Sequence, residues 1–451
     1  EAGRFVCSND VVNRLQDMSR ASLLNNFHSI PTDCPHREKQ GWTADTYMTD
    51  QAAIYNFDMA AFYAKWVEDL AGTQDSAGGL CTVAPSTGYD QSISTVWPAA
   101  IVYVPWDLLA YYGDRRVVER HYETMMRFAE SSLLRQRDGK PEIIGEVLGD
   151  WVSPHMTLSD TLMSYSMAPP EGLTLYGTAS HYRVVRNLAE VARFLGKRDD
   201  AVRLDAWADR IARRFNEEFF DAASGIYHGE NPTPYRQAAN VVPLEYGLVP
   251  EADSARVLGS LLRDLDGTRD RIGTGFVGTL SMMELMPRID PERAYRLATQ
   301  PDYPGWGFMA LSGATTMWET WDGSASRNHP PFCLISAYFY KYLAGIRCDR
   351  AYPGFERFTV DPSVVGDLTF VEAWHDSPYG RIRSEWRRDG SRLTMKVSVP
   401  VGTTATIGVP TRDAAGVAES GRPVSGTDGV KFLRAAGGKA FYEVGSGSYV
   451  F

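Results

Sequence analysis

Three short segments gather residue types that do chemistry, and none of them reads as an ordinary helix face. The first is Asp33-Cys34-Pro35-His36-Arg37-Glu38-Lys39-Gln40-Gly41-Trp42-Thr43-Ala44-Asp45. It packs three carboxylates, an Arg and a Trp around a Pro and a Gly, which is the composition of a loop. Such a loop can place Glu38 beside Trp42, where desolvation raises a carboxyl pKa towards that of a general acid. The competing reading is a capped loop laced with surface ion pairs. The second segment runs Gly313-Ala314-Thr315-Thr316-Met317-Trp318-Glu319-Thr320-Trp321-Asp322-Gly323, after Tyr303-Pro304-Gly305-Trp306-Gly307 and before Asn328-His329-Pro330. An acid between two indoles suits a cleft that grips a sugar; a buried Glu paired with a base fits the same residues. The third is Leu148-Gly149-Asp150-Trp151, preceded by Val96-Trp97-Pro98 and by Val104-Pro105-Trp106. Trp106, inside an apolar run, reads as core.

Other chemistries are excluded by pattern. No phosphate-binding P-loop, zinc-protease His-Glu-x-x-His, serine-hydrolase elbow or calcium loop occurs. Five cysteines, Cys7, Cys34, Cys81, Cys333 and Cys348, show no Cys-x-x-Cys pair and no zinc-type cluster, so reduced thiols are the simplest reading. Lys and Arg number 46 against 56 Asp and Glu, and a net charge of −10 attracts neither nucleic acid nor an anionic membrane. The longest uncharged apolar run, Gln91 to Trp106, contains Ser, Thr and Pro and is too short to span a bilayer. The chain opens at Glu1 without Met and without a signal peptide, which suggests that an upstream portion has been removed; the compartment stays open.

These segments need a scaffold, and the hydrophobic period supplies one. In 451 residues, 44% hydrophobic and 23% charged, two or three domains are expected. Up to about residue 350 the pattern is helical. Tyr55, Met59, Phe62, Tyr63, Trp66, Val67 and Leu70 follow helical spacing. Val184, Val185, Leu188, Val191, Ala192 and Leu195 do so before a stop at Gly196. Leu204, Trp207, Ala208, Ile211 and Phe215 follow, with Asp199 and Asp200 as capping candidates. Roughly twelve helices fit this stretch, and without a fixed repeat they suit two concentric rings. Past Pro353 the period becomes two. Ile382, Ser384 and Trp386 alternate with Arg383, Glu385 and Arg387; Asp389-Gly390 reads as a tight turn; Leu393, Met395, Val397 and Val399 alternate on the return. The expected architecture is a mainly α unit over 1–350 and an antiparallel β-sandwich over 351–451.

The segment 33–45, Gly149-Asp150-Trp151, the run 313–323 and Arg327-Asn328-His329-Pro330 together resemble the motifs of the bacterial α-L-rhamnosidases of glycoside hydrolase family 78. Phe5-Val6-Cys7-Ser8-Asn9-Asp10 is similar to the start of that family's catalytic domain. Pro353-Gly354-Phe355 and Asp376-Ser377-Pro378-Tyr379-Gly380 resemble its C-terminal β-domain. The resemblance implies an (α/α)6 toroid followed by a small β-sandwich, and inverting hydrolysis of terminal α-L-rhamnose from a glycoside or oligosaccharide, with no metal or organic cofactor. It puts the general acid on Glu38 and the general base on Glu319. It puts sugar contacts on Asp33, Arg37, Trp42, Asp45, Trp97, Trp151 and His329. Trp306, beside the second segment, joins Trp42, Trp97 and Trp151 as a candidate apolar wall for the sugar's C6 methyl. The chain departs from the family at Trp97-Pro98-Ala99-Ala100, where Trp-Gly-Asp-Ala is common, and it lacks the family's N-terminal β-domains. Rival readings are another inverting toroid hydrolase or phosphorylase, a polysaccharide lyase, or a carbohydrate-binding relative without catalysis. The lyase is disfavoured by a carboxylate-rich cleft, and loss of catalysis by the presence of both glutamates. An inverting pair requires Glu38 and Glu319, 281 positions apart, to face each other across one pocket at roughly 6.5–9.5 Å.

Overall fold

In a computed structural model, which describes residues 1–88, 94–137, 139–155 and 168–451, six helices close into a ring. The first three residues of the apolar run from Gln91 lie outside the described residues. The helices are α1 (Asp10–Asn25), α2 (Thr43–Asn56), α3 (Ala60–Ala71), α4 (Ala100–Tyr112), α5 (Arg115–Ser131), α6 (Thr174–Phe194) and α7 (Arg198–Phe219). They continue with α8 (Gln237–Tyr246), α9 (Glu251–Thr268), α10 (Phe276–Ile289), α11 (Pro291–Thr299), α12 (Trp306–Leu311) and α13 (Leu334–Tyr338), which runs on as a π turn over Phe339–Leu343. Packing runs α2 to α4, α6, α8, α10, α13 and back to α2, which closes the inner ring. The helices α1, α3, α5, α7, α9 and α11 lie outside it, with α12 between α1 and α11. The sequence dictates which helix goes where. Every residue of α2 except Gln51 is buried, and α4 is buried from Ala100 to Tyr111, as helices packed all round must be. Helices α5 and α7 instead bury one stripe and expose a charged face.

Two local readings of the sequence shift. The stripe from Tyr55 to Leu70 is not one helix: α2 ends as Phe57 turns to φ −137°, ψ 156°, and α3 starts at Ala60. Tyr55 belongs to the inner ring and the rest to the outer. Asp199 and Asp200 lie in the first turn of α7 instead of capping it, where their charge favours the helix N-terminus.

The strands are β1 (Gly3–Cys7), the short hairpins β2 (Gln136–Arg137) with β3 (Lys140–Ile144) and β4 (Phe220–Asp221) with β5 (Ile226–Tyr227), then β6 (Ile346–Cys348) and β7 (Arg357–Val360). After them come β8 (Phe370–Ser377), β9 (Gly380–Asp389), β10 (Arg392–Val399), β11 (Thr404–Pro410), the pair β12 (Ala418–Glu419) and β13 (Arg422–Pro423), β14 (Val430–Ala436), β15 (Lys439–Val444) and β16 (Gly447–Val450). Two five-stranded sheets form, ordered β1-β8-β9-β10-β16 and β14-β15-β11-β7-β6. The alternation along β9 holds: Ile382, Ser384 and Trp386 are buried. The β9–β10 turn falls one residue later than expected. Asp389 pairs with Arg392, leaving Gly390-Ser391 as the loop, with Gly390 at φ +57°. The sheets are not wholly antiparallel, because β7 and β11 run parallel.

The N-terminal strand is the unforeseen element. β1 pairs antiparallel with β8, from Gly3 opposite His375 to Cys7 opposite Val371. Gly3 is required there, since a Cβ would stand 2.0 Å from the Tyr55 carbonyl oxygen of α2. Phe5 stacks on Phe339 at 5.3 Å, the Tyr55 hydroxyl donates to the Ile346 carbonyl at 2.7 Å, and the Trp386 indole N–H donates to the Leu343 carbonyl at 2.9 Å. The sheet therefore braces the last inner helix. Phe5→Ala should cost about 3–5 kcal/mol of stability, the range for deleting a buried aromatic. Urea unfolding checks it, and a loss below about 1 kcal/mol would show that β1 is not part of the cooperative core.

Candidate active site

The acidic loop between α1 and α2 is held shut by its own side chains. The Asp33 amide donates to the Gln40 carbonyl at 2.9 Å, and the Gln40 amide returns a bond to Asp33 Oδ1 at 2.7 Å. Inside that closure Pro35–Glu38 turn, and the Glu38 amide donates to Cys34 Sγ at 3.3 Å. Glu38 projects with a side chain 38% exposed, and its Oε2 accepts the Trp42 indole N–H at 2.9 Å. Trp42 meets Glu38 by its polar edge, the indole N–H. Asp45 follows in the first turn of α2, 6% exposed.

The second carboxylate comes from the long loop between α12 and α13. Glu319 is 8% exposed; its amide donates to the Ser326 carbonyl at 2.7 Å, and its Oε2 accepts the Ser326 amide at 3.1 Å. Trp321 anchors this loop in the core, stacking on Phe332 at 4.0 Å and donating to the Thr274 carbonyl at 2.9 Å. The His329 amide donates to the Met317 carbonyl at 2.9 Å, which brings the far end of the loop back beside Glu319.

The two loops meet through two cations. The Arg37 guanidinium lies 3.9 Å from Glu38 Oε1 and 3.9 Å from Glu319 Oε2. The two glutamates thus share one guanidinium, each with a carboxylate oxygen near one of its nitrogens. His329 places Nε2 at 3.0 Å from Asp45 Oδ1 and Nδ1 at 4.0 Å from Glu319 Oε2. Burial works against charge on His329, but Glu319, Asp45 and the Cys34 sulfur together raise its pKa well above the ordinary value, making it an imidazolium. Asp33 is 1% exposed; burial lifts its pKa to about 6, against the pull of His329.

The tryptophans divide. Trp42 and Trp151 are partly exposed. Trp97 is 2% exposed and meets Trp151 edge to face at 6.5 Å, so it supports Trp151 from behind instead of offering a face of its own. Trp306 is fully buried, donates to the Phe332 carbonyl at 3.0 Å and packs edgewise on Trp321. Its assignment to the sugar wall is therefore corrected: it is a strut under the Glu319 loop.

Sequence reasoning missed three supports. Glu146 is a single carboxylate that accepts from the amides of Thr95, Val96, Val147 and Leu148, fixing both tryptophan-bearing loops. Asp150 is fully buried and accepts from the Gly275 and Gly278 amides at 2.7 and 2.8 Å, at the N-terminus of α10. Burial raises its pKa to about 7, although those amides oppose the rise. Gly275 is obligatory, since a Cβ would stand 2.1 Å from the Trp151 carbonyl oxygen. Phe276 then stacks on His329 at 6.0 Å, linking the Trp151 wall to the carboxylates. Asp150 had a signal in its Gly-Asp-Trp setting; Glu146 and Phe276 had none. Among the described residues no group of His, Cys, Asp and Glu could hold a metal ion, no helix is long and apolar enough to cross a membrane, and all five cysteines are free thiols.

Asp33 yields a signed pH prediction. The folded protein holds its proton up to about pH 6, whereas an unfolded Asp releases it near pH 4, so this group costs stability as pH rises between the two. Asp33→Asn keeps an oxygen for the Gln40 amide and carries no such cost. Relative to wild type it should therefore gain up to roughly 3 kcal/mol between pH 4 and 7. Denaturant unfolding of both proteins at a series of pH values reads the difference; a gap that does not change with pH refutes it.

Comparison with known proteins places this geometry. Residues 1–343 match the bacterial α-L-rhamnosidase six-hairpin glycosidase domain, and residues 345–422 match the bacterial α-L-rhamnosidase C-terminal domain. An α-L-rhamnosidase of Streptomyces avermitilis is 30% identical over 461 residues, covering 98% of this chain and 41% of its own length. One from Formosa agariphila is 28% identical over 428 residues, covering 90% and 44%. The chain thus spans less than half the length of the curated relatives it matches. Among solved structures, the α-L-rhamnosidase from Dictyoglumus thermophilum superposes with a TM-score of 0.90 at 31% identity, over all of this chain and 50% of the other. The Streptomyces avermitilis enzyme complexed with L-rhamnose does so at 0.87 and 27%, over all of this chain and 42% of the other. A ring closed by α2 and α13, with paired acidic loops at its mouth and a braced β-domain behind it, is thus the architecture of a known group, and the chain belongs to the bacterial α-L-rhamnosidase family of six-hairpin glycosidases.

Proposed function

We propose that this chain hydrolyses terminal α-L-rhamnosides with inversion, Glu38 acting as general acid and Glu319 as general base. The observation that carries the reading is the Arg37 bridge, which brings two carboxylates 281 positions apart in sequence to one guanidinium. Glu38, at the exposed rim, protonates the departing glycosidic oxygen; Glu319, deep in the site, takes a proton from a water attacking the opposite face of the ring. Acid, base and water complete the reaction. Asp33, Arg37, Asp45 and His329 hydrogen-bond the sugar hydroxyls, and the partly exposed faces of Trp42 and Trp151 line its C–H surface. The substrate class is supported by family membership and by the α-L-rhamnosidases that the chain resembles. The chemistry belongs to residues 1–350; residues 351–451, joined by β1, brace the ring.

Glu38→Gln and Glu319→Gln should each lower turnover by about two orders of magnitude or more. An aryl rhamnoside with a good leaving group needs less protonation, so it should partly restore Glu38→Gln and leave Glu319→Gln crippled. Equal rescue of both variants would overturn the division of roles.

Substrate choice follows from the wall. L-Mannose carries a C6 hydroxyl where L-rhamnose has a methyl, and excluding a hydroxyl by apolar surface is worth only about 1–3 kcal/mol. The mannoside should therefore be a poor substrate but not an inert one. Paired kcat/KM values for p-nitrophenyl α-L-rhamnoside and α-L-mannoside test this. Preference for the mannoside, or activity only on a D-glycoside, refutes the substrate and leaves the acid–base pair standing.

A further inference from the structure

Cys34 has no part in the proposed reaction, yet it lies where the two catalytic loops touch. It is 1% exposed, too buried for a reactive surface thiol. Its sulfur accepts the amide of Glu38 at 3.3 Å across the turn Pro35–Glu38. That contact has a chemical direction: a sulfur lone pair receives the Glu38 amide. The thiol also pulls the Asp33 carboxyl down in pKa and the His329 imidazole up, each against a larger effect of burial. His329 in turn reaches Asp45 at 3.0 Å and Glu319 at 4.0 Å. One buried atom therefore holds the backbone of the residue assigned as acid, on the loop that faces His329 and the residue assigned as base.

We infer that Cys34 is a positioning residue that fixes the turn from which the Glu38 carboxyl projects. This rests on the reading of Glu38 as general acid. Sulfur suits the task because its longer bonds and larger radius let it reach the amide across the turn from a buried position. Glu38 is half in solvent and held otherwise only by Trp42 and a distant Arg37 contact. A loop free to drift by an ångström would misaim the acid, and such misplacement costs up to about a hundredfold in rate. Serine keeps the acceptor at a shorter reach; alanine removes it.

The test measures kcat and KM of Cys34→Ala, Cys34→Ser and Glu38→Gln on two substrates, p-nitrophenyl α-L-rhamnoside and methyl α-L-rhamnoside, whose leaving group needs full protonation. Cys34→Ala should lose about tenfold in kcat on the methyl rhamnoside and less than about threefold on the nitrophenyl one, with KM little changed. Cys34→Ser should recover part of the loss. An equal loss on both substrates, a change confined to KM, no loss at all, or a serine variant no better than alanine would each overturn the inference. Glu38→Gln keeps the two claims apart: if it shows no leaving-group dependence, the acid assignment fails; if it does and Cys34→Ala does not, only the role of Cys34 fails. Should Cys34→Ala not fold, as judged by circular dichroism, the serine variant carries the comparison, and it must still lose more on the methyl rhamnoside than on the nitrophenyl one.

Discussion

The site exists because the inner ring closes. Glu38 and Asp45 sit at the start of α2, and Glu319 and His329 sit just before α13; they become neighbours only when α13 packs on α2. Closure then assembles charge that neither segment would tolerate alone. Asp45 and Glu319 are nearly buried, and buried carboxylates without partners are costly. His329, held as an imidazolium between them, and Arg37, set between Glu319 and Glu38, supply the compensating charge. The strand β1 matters for the same reason. By pairing with β8 and stacking Phe5 on Phe339, it presses the sheet against the final helical turn of the ring, at the seam where first and last hairpins meet.

Around the mouth, helix starts do the positioning. Trp42 directly precedes α2, Trp97 lies just ahead of α4, and Phe276 opens α10. An inner helix that begins at the mouth exposes its first amides there, and carboxylates are the natural partners of those amides. Asp150 is the clearest case. It binds two amides at the head of α10, sets Phe276 against His329 and so connects the wall carrying Trp151 to the charged centre. Glu146 does the same for the loops of Trp97 and Trp151 with a carboxylate saturated by four backbone donors.

The sequence was most legible where chemistry is local. Glu38, Trp42 and Asp45 share one turn and a helix start, and period-two alternation placed Ile382, Ser384 and Trp386 inward. Residues that act across the fold were harder to place. Glu146 gathers amides from segments about fifty positions apart, and no local pattern announces that. Trp306 misled because a Trp flanked by glycines looks alike whether it lines a cleft or props one up; only its position under Trp321 distinguishes the two. The pairing of β1 was hidden because its partner lies some 370 residues downstream.

The two glutamates differ in surroundings in the way the proposed reaction demands. The Glu38 side chain is 38% exposed, and that of Glu319 is 11% exposed. In the proposed reaction a leaving group that extends towards solvent would meet the outer carboxyl. The attacking water must instead be confined, because a nucleophile that exchanges freely with bulk loses the alignment on which general-base catalysis depends. Glu319 offers that confinement: its amide and Oε2 are both fixed to Ser326, and His329 and Arg37 flank it. Exchanging the roles would place the water at the more exposed carboxyl and the leaving group at the more buried one. Cleavage of a terminal sugar, with acid outside and base inside, is the arrangement that this asymmetry of exposure accommodates.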